Sequence, residues 1–211
     1  MRTSSRKVAL VLFDEVDLLD VAVLTSVLSS AGRKWNFRPF KILPVSSRST
    51  EVATRSQISL SRPRLLTDVT APEILLIPGG YGARRSLSDE GLVAWLRSEG
   101  PAAGNVVACN QGVLLAAKAG LALETEVTSS ADVAAELAEI EPSCRIHTEG
   151  DFRVSGKMIT ARHAVGAARA ALHLVRTLLG EKHAVEIEND LGLPPPEPVQ
   201  GKSTLEIIKA R

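Results

Sequence analysis

Four short, largely apolar runs constrain the fold of this chain more than any other feature. They lie at 7–13, 74–77, 105–109 and 157–161, and each is followed by a segment with apolar residues at helical spacing. Runs without polar alternation are typical of strands buried on both faces, and their alternation with helices is typical of a parallel sheet covered on two sides. The sequence therefore predicts an α/β domain of three layers with a doubly wound, mostly parallel sheet.

The segments between these runs give further predicted elements. Pro78-Gly79-Gly80 marks a tight turn after the second run, and Ser86 or Ser88 is the expected N-cap of the helix that follows. The predicted helices are 16–31, 86–98, 112–119 and 165–179, and further strands are predicted at 37–45, 52–60 and 145–147.

Length and composition indicate a single domain and argue against nucleic acid and membranes as partners. A chain of 211 residues with 45% hydrophobic content suffices for one sizeable core, so we expect a single domain over 1–192 and a proline-rich extension over 193–211. The net charge is +1 and aromatic residues make up 3%, which indicates neither a basic face nor stacking platforms for nucleic acid. No apolar run is long enough for a membrane span, so we expect a cytoplasmic protein without a nucleic-acid or membrane partner.

The cysteines and histidines do not form the pattern of a metal site. Cys109 and Cys144 each adjoin strand-like sequence, which favours reduced, buried thiols over a disulfide. No group of cysteines and histidines has the spacing of a zinc site. The sequence therefore predicts no metal and no cofactor.

The candidate site lies at one edge of the predicted sheet. Doubly wound sheets bind small molecules beyond the carboxyl ends of their strands. In this sequence the turns at that edge are 14–20, 78–82, 109–112 and 161–164. The partner that we expect there is a small-molecule ligand.

Motifs in these four turns carry a family resemblance. The segments FDEVDLLD, LLIPGGYGA, ACNQGVLLAAKAGL and MITARHAVGAARAALHLV together resemble the DJ-1/PfpI superfamily, the ThiJ-like proteins with a class I glutamine amidotransferase fold. The resemblance covers residues 7–190 and is closest to the branch of isonitrile hydratases and of the sensor domains of AraC-type regulators. It implies a flavodoxin-like sheet and a homodimer.

The resemblance assigns the reactive turn of the family to Asn110. Family members usually carry a Cys-Thr-Gly or Cys-Ala-Gly elbow, with the nucleophile two places before the glycine that opens the helix, and here that glycine is Gly112. Cys109 then ends the preceding strand, and because side chains alternate along a strand it is expected to point into the packing. An amide cannot form the covalent intermediates of a thiolate, so Asn110 is expected to hold a ligand oxygen by hydrogen bonds.

Further site residues follow from the same resemblance. Asp20 occupies the place of the hydratase carboxylate that faces the elbow, and its apolar neighbours favour a raised pKa and a general acid/base role. Gly79 and Gly80 form a turn free of side chains, and the amides of Gly80 and Gln111 are the expected oxyanion-type donors. His163, which follows the last of the four strands, is a further candidate for ligand binding.

Each assignment has a structural alternative. Asp20 is alternatively a solvated acid of the first helical turn, the glycine turn a purely structural feature, and His163 a capped loop residue that faces solvent. Arg169 either reaches the pocket or extends its charge to solvent. The histidine that many relatives carry after the elbow helix has no counterpart, because the matching position lies near Ser130.

Two functions are compatible with these residues. The first is a non-covalent acid/base enzyme of the lyase, hydratase, cyclase or isomerase type, in which Asp20 moves a proton while Asn110 and the two amides hold the polarised oxygen. The second is a catalytically inactive binding or sensor module that uses the same pocket. Glyoxalase, deglycase and chaperone roles of the superfamily depend on the elbow cysteine and are disfavoured. A homodimer is expected to form through the apolar face of the first helix, namely Leu18, Leu19, Val23, Leu24 and Val27.

Overall fold

The computed structural model describes residues 5–48 and 51–193. The described strands are β1 (Arg6–Val11), β2 (Phe40–Ser46), β3 (Val52–Ala53), β4 (Ser59–Leu60), β5 (Arg64–Leu65), β6 (Ile74–Ile77), β7 (Asn105–Cys109), β8 (Glu126–Thr128), β9 (Arg145–His147), β10 (Phe152–Ser155) and β11 (Met158–Ala161). The described helices are α1 (Leu18–Ser30), α2 (Gly82–Ser86), α3 (Glu90–Glu99), α4 (Gly112–Lys118), α5 (Ala131–Ile140), α6 (Ala164–Leu179) and α7 (Glu181–Leu191).

Seven of the described strands form the central sheet, in the order β10-β11-β7-β6-β1-β2-β5. Neighbouring strands are parallel except at one edge, where β10 pairs antiparallel with β11. Helices α1 and α6 contact each other in one layer, whereas α4 contacts α2 and α5 in the other. The three layers confirm the predicted doubly wound α/β fold.

The core is built from strand residues that lie side by side across the sheet. Leu10 of β1 aligns with Leu76 of β6, Leu76 with Val107 of β7, and Val107 with Ile159 of β11. All four side chains are at most 2% exposed. Because both faces of this row are covered by helices, the strands carry no polar alternation, and the four apolar runs of the sequence correspond to these four strands.

Helix α1 begins at a side-chain cap and packs inward. The Asp17 carboxylate accepts a hydrogen bond from Leu19 N at 2.9 Å, which satisfies one of the free amides of the first turn. Leu24 and Val27 are buried, and α1 lies against α6 of the same chain. The apolar face assigned to a homodimer is therefore divided, because part of it forms the chain's own core while Leu19 is 56% exposed. The homodimer stays a prediction.

Two local predictions were wrong, both because side chains formed caps or turns. The strand predicted at 52–60 is a hairpin of β3 and β4, in which the Thr54 hydroxyl donates to Ile58 O at 2.7 Å and Gln57 has a φ of 62°. The helix predicted at 86–98 begins later, as α3 at Glu90, and Ser86 is the last residue of α2. The N-cap of α3 is Asp89, which accepts from Leu92 N at 3.0 Å, and not Ser86 or Ser88.

The predicted extension 193–211 lies outside the described residues except for Leu193. Across the described part of the chain, no helix combines the length and the apolar character needed to cross a membrane.

The start of α4 tests this architecture directly. A Cβ atom at Gly112 would lie 2.5 Å from Pro78 O and would also collide with Ile77 O, whereas one at Gly91 of α3 would meet only Asp89 Oδ1 at 3.4 Å. We expect Gly112→Ala to lower the free energy of unfolding by about 1–3 kcal/mol, because the backbone of β6 cannot withdraw freely. The control Gly91→Ala is expected to raise it by about 0.5–1 kcal/mol through helix propensity. Urea unfolding of both variants checks this, and equal midpoints for Gly112→Ala and the wild type would contradict it.

Candidate functional site

The carboxyl ends of β1, β6, β7 and β11 bring the predicted site residues to one edge of the sheet. Asp20 lies in the first turn of α1, Gly79 follows β6, and Asn110 follows β7. His163 follows β11 as the N-cap of α6. Each strand is fixed by its neighbours, so the turns that leave them are held at defined positions.

Asp20 is the residue on which these turns converge. Its side chain is 1% exposed, and its Oδ2 atom accepts hydrogen bonds from Gly79 N at 2.9 Å and from Asn110 Nδ2 at 2.8 Å. Among the described residues, no donor contacts its Oδ1 atom. One carboxylate oxygen is therefore held by two donors, while the other keeps its lone pairs.

The surroundings of Asp20 raise its pKa above the usual range of an aspartate. Burial is the main cause, because it removes water from the charged form. The hydrogen bonds from Asn110 and Gly79 oppose this rise by stabilising the carboxylate, and the negative charge of Asp17 adds to it. When the Asp20 carboxylate is protonated, the proton is bound to Oδ1, because Oδ2 already accepts two hydrogen bonds.

Asn110 occupies the elbow that the sequence assigned to it. Its φ of 47° lies in the left-handed region, which asparagine tolerates better than most residues. Its backbone N–H donates to Ala161 O at 2.7 Å, which ties the elbow to β11. A Cβ atom at Gly79 would lie 2.6 Å from Asn110 Cβ, so the glycine allows the elbow to approach the turn after β6.

Cys109 lies one residue before the elbow and is completely buried, as expected. Burial raises the pKa of its thiol well above the usual range, and the nearby charge of Asp20 raises it further. Both effects suppress the thiolate, which is the reactive form of cysteine.

The expected pair of free backbone donors is altered by a side chain. Gly80 N donates to Gln111 Oε1 at 3.3 Å, so the Gly80 amide already has an acceptor from within the chain. The sequence predicted a role for the backbone of Gln111 alone, and the contact of its side chain was not predicted. The identity of the side chain was the available signal, because a glutamine next to the elbow can reach a neighbouring amide, whereas an alanine cannot.

His163 has both of its ring nitrogens engaged. Its Nδ1 accepts from Gly166 N at 3.2 Å and caps α6, while its Nε2 lies 3.1 Å from Asp151 Oδ1. Burial and the charge of Arg162 lower its pKa, whereas the charge of Asp20 raises it. This arrangement fits the capped loop residue that was the structural alternative, and a role of His163 in ligand binding stays a prediction.

Asp151 was missed by the sequence analysis, although it organises this side of the site. Its carboxylate pairs with Arg169 as well as with His163, and the Arg169 side chain is 15% exposed and lines a cavity between β10, α6 and α7. Asp151 lies in a polar loop without a periodic pattern, and nothing in its sequence surroundings distinguishes it.

The Asp20–Asn110 pair lies outside the cavities described below. One cavity of about 230 Å³ is lined by Phe13, Asp14 and Gly82, which lie in or next to the site turns. Neither Asp20 nor Asn110 lines this cavity or three further cavities in the described part of the chain. In the same residues, no three histidine, cysteine, aspartate or glutamate side chains are grouped so that they could hold a metal ion.

These observations define a class of flavodoxin-like α/β proteins with a strand-turn-helix elbow opposite an acid on the first helix. The chain belongs to the DJ-1/PfpI family, whose pattern it matches over residues 6–177. The family assignment made from the four motifs is thereby confirmed.

Solved structures share this fold. A THiJ/PfpI family protein from Pseudomonas syringae is 18% identical, with a TM-score of 0.78 over 98% of this chain and 84% of that one. DJ-1beta of Drosophila melanogaster is 19% identical, with a TM-score of 0.79 over 91% of this chain and 100% of that one. An AraC family transcriptional regulator from Pseudomonas putida is 22% identical, with a TM-score of 0.73 over 88% of this chain and 99% of that one. A comparison with curated protein sequences gave no match.

The raised pKa of Asp20 has a consequence for stability. Because the folded state binds the Asp20 proton at a higher pH than the unfolded state does, the ionised carboxylate destabilises the fold at neutral pH, and this penalty disappears as the pH falls towards 3.8. Asp20→Asn removes the charge and keeps an acceptor oxygen. We expect the Tm of the variant minus that of the wild type to be larger at about pH 7 than at about pH 4. The increase is about 2–4 °C for each 1 kcal/mol by which the ionised Asp20 carboxylate destabilises the folded wild type.

Calorimetry of both proteins at the two pH values checks this expectation. The comparison of differences cancels the titration of the groups that do not interact with Asp20. A difference in Tm that is independent of pH, or that favours the variant more at the lower pH, would contradict a raised pKa.

Proposed function

We propose that this protein is a small-molecule enzyme of the non-covalent acid/base type, within the lyase, hydratase, cyclase or isomerase classes. The observation that carries the proposal is the state of the Asp20 carboxylate. Its Oδ2 is fixed by Gly79 and Asn110, its Oδ1 has no donor among the described residues, and burial raises its pKa. A general acid or base needs a fixed position, a free oxygen and a pKa closer to neutrality, and Asp20 meets all three requirements.

The elbow supports proton transfer more than covalent catalysis. Asn110 has no nucleophilic atom comparable to a thiolate, and its Nδ2 is engaged with Asp20 at 2.8 Å. The Cys109 thiol is buried and its pKa is raised, so it offers no substitute nucleophile. The side-chain oxygen Oδ1 of Asn110 and the second hydrogen on its Nδ2 remain to orient a ligand.

A second candidate function is a catalytically inactive ligand-binding or sensor module. The contact between Gly80 N and Gln111 Oε1 favours it, because a donor that a catalyst would direct at developing charge is already engaged. Under this alternative the same residues bind a ligand, and Asp20 contributes to affinity without transferring a proton.

The two functions differ in what Asp20→Asn does. A thermal-shift screen of small carbonyl compounds identifies a ligand, whose affinity and turnover are then measured with wild type and variants. For the enzyme we expect Asp20→Asn to lower kcat by about 10²- to 10⁴-fold while the affinity changes little, because asparagine retains an acceptor oxygen but cannot exchange a proton.

Asp17→Asn is the matched control. It makes the same substitution three residues earlier, at the cap of α1, and asparagine caps helices as well as aspartate does. We expect Asp17→Asn and Cys109→Ala to retain most of the wild-type turnover. A rate that survives Asp20→Asn but is abolished by Cys109→Ala would contradict the proposal. A confirmed ligand that the wild type does not turn over would support the sensor module.

A further inference from the structure

The Gly80 amide is a donor whose direction is set by close packing. Gly80 has a φ of 130°, a conformation that side-chain-bearing residues rarely adopt. A Cβ atom at this position would lie 2.6 Å from Asp17 N and 2.8 Å from Val16 Cα. The turn is therefore pressed against the segment between β1 and α1, and its N–H cannot turn elsewhere when its acceptor leaves.

The acceptor of this amide is held weakly. The distance from Gly80 N to Gln111 Oε1 is 3.3 Å, whereas N–H···O bonds are usually about 2.9–3.0 Å long. Gln111 is only partly buried, and its side chain has three rotatable bonds ahead of the carboxamide oxygen. A ligand oxygen that reaches Gly80 at the usual distance makes a better hydrogen bond than Gln111 does.

The charges around the Gly80 amide favour a neutral ligand oxygen over a charged one as the acceptor that displaces Gln111 Oε1. The Asp20 carboxylate accepts from Gly79 N, the amide immediately before Gly80, so a second carboxylate on Gly80 would be repelled. Arginines next to the turn already have partners, since Arg84 pairs with Glu136 at 2.7 Å, Arg85 pairs with Glu15 at 2.6 Å, and Arg55 lies 4.2 Å from the centre of the Tyr81 ring. A neutral carbonyl oxygen meets no such repulsion, and the present occupant is itself the oxygen of a neutral carboxamide.

We propose that the Gln111 side chain is the specificity-determining group of this site: it competes with ligands for the Gly80 amide and is displaced by small neutral carbonyl compounds rather than by carboxylates. This inference concerns the same site as the proposed function and adds the chemical class of its ligand. It does not require turnover, because displacement of Gln111 is a binding event.

Acetamide and acetate form a matched pair of probes, since they have nearly the same shape and differ in charge. Each is titrated into ¹⁵N-labelled wild type, Gln111→Ala and Gln111→Glu at neutral pH, and the chemical shift of the Gly80 amide is followed. We expect Gln111→Ala to bind acetamide roughly 2- to 12-fold more tightly than the wild type, the range of one ordinary hydrogen bond, because its Gly80 amide has no competing acceptor. Gln111→Glu keeps the reach of the side chain but carries a carboxylate that Asp20 repels from Gly80, so it is expected to bind acetamide at least as tightly as the wild type.

The outcomes separate this inference from the proposed function. Tighter binding of acetamide than of acetate by Gln111→Ala, with movement of the Gly80 amide signal, supports the inference even if the wild type turns nothing over. Equal affinities of wild type and Gln111→Ala for acetamide, a Gly80 signal that does not move, or tighter binding of acetate than of acetamide would overturn it. Such a result would leave the effect of Asp20→Asn on turnover unaffected.

Discussion

The site depends on the hydrogen bonds that Asp20 Oδ2 accepts from Gly79 N and Asn110 Nδ2. They join the first helix to the turns after two central strands. They also stabilise the Asp20 carboxylate in the core, where its side chain is only 1% exposed. An isolated buried charge is very unfavourable, and donors to the charged form reduce that cost. Several local features follow from this contact, including the absence of a side chain at Gly79 and the left-handed backbone of Asn110.

The neighbouring residues Cys109 and Asn110 lie in different surroundings. Cys109 lies one residue before the elbow, where strand alternation directs it into the core, and Asn110 takes the position that faces Asp20. The buried thiol and the amide that faces Asp20 are thus one residue apart in the chain. The Asn110 amide donates to the Asp20 carboxylate and so fixes its orientation.

The central architecture could be predicted from the sequence because each buried strand is short, apolar and followed directly by a helix. Asp20 and Asn110 could be placed opposite each other from the family resemblance, because the strand pattern alone gives only the edge of the sheet on which their turns lie. The hairpin of β3 and β4 could not be predicted, since the alternating polarity of 52–60 is typical of one strand, and the turn arises from Thr54 bonding to Ile58. The contact of Gln111 with Gly80 and the pairing of His163 with Asp151 depend on side-chain conformations that no periodicity encodes.

The central claim is that Asp20 is a buried acid whose pKa is raised by desolvation and restrained by Asn110. The most direct test is the pKa of Asp20, obtained from the ¹³C chemical shift of its carboxyl carbon as a function of pH in the wild type and in Asn110→Ala. The account predicts a wild-type pKa above the ordinary value of 3.8 and a still higher value in Asn110→Ala, because the variant loses a donor to the carboxylate. A wild-type value at or below 3.8, or a lower value in Asn110→Ala than in the wild type, would contradict the account.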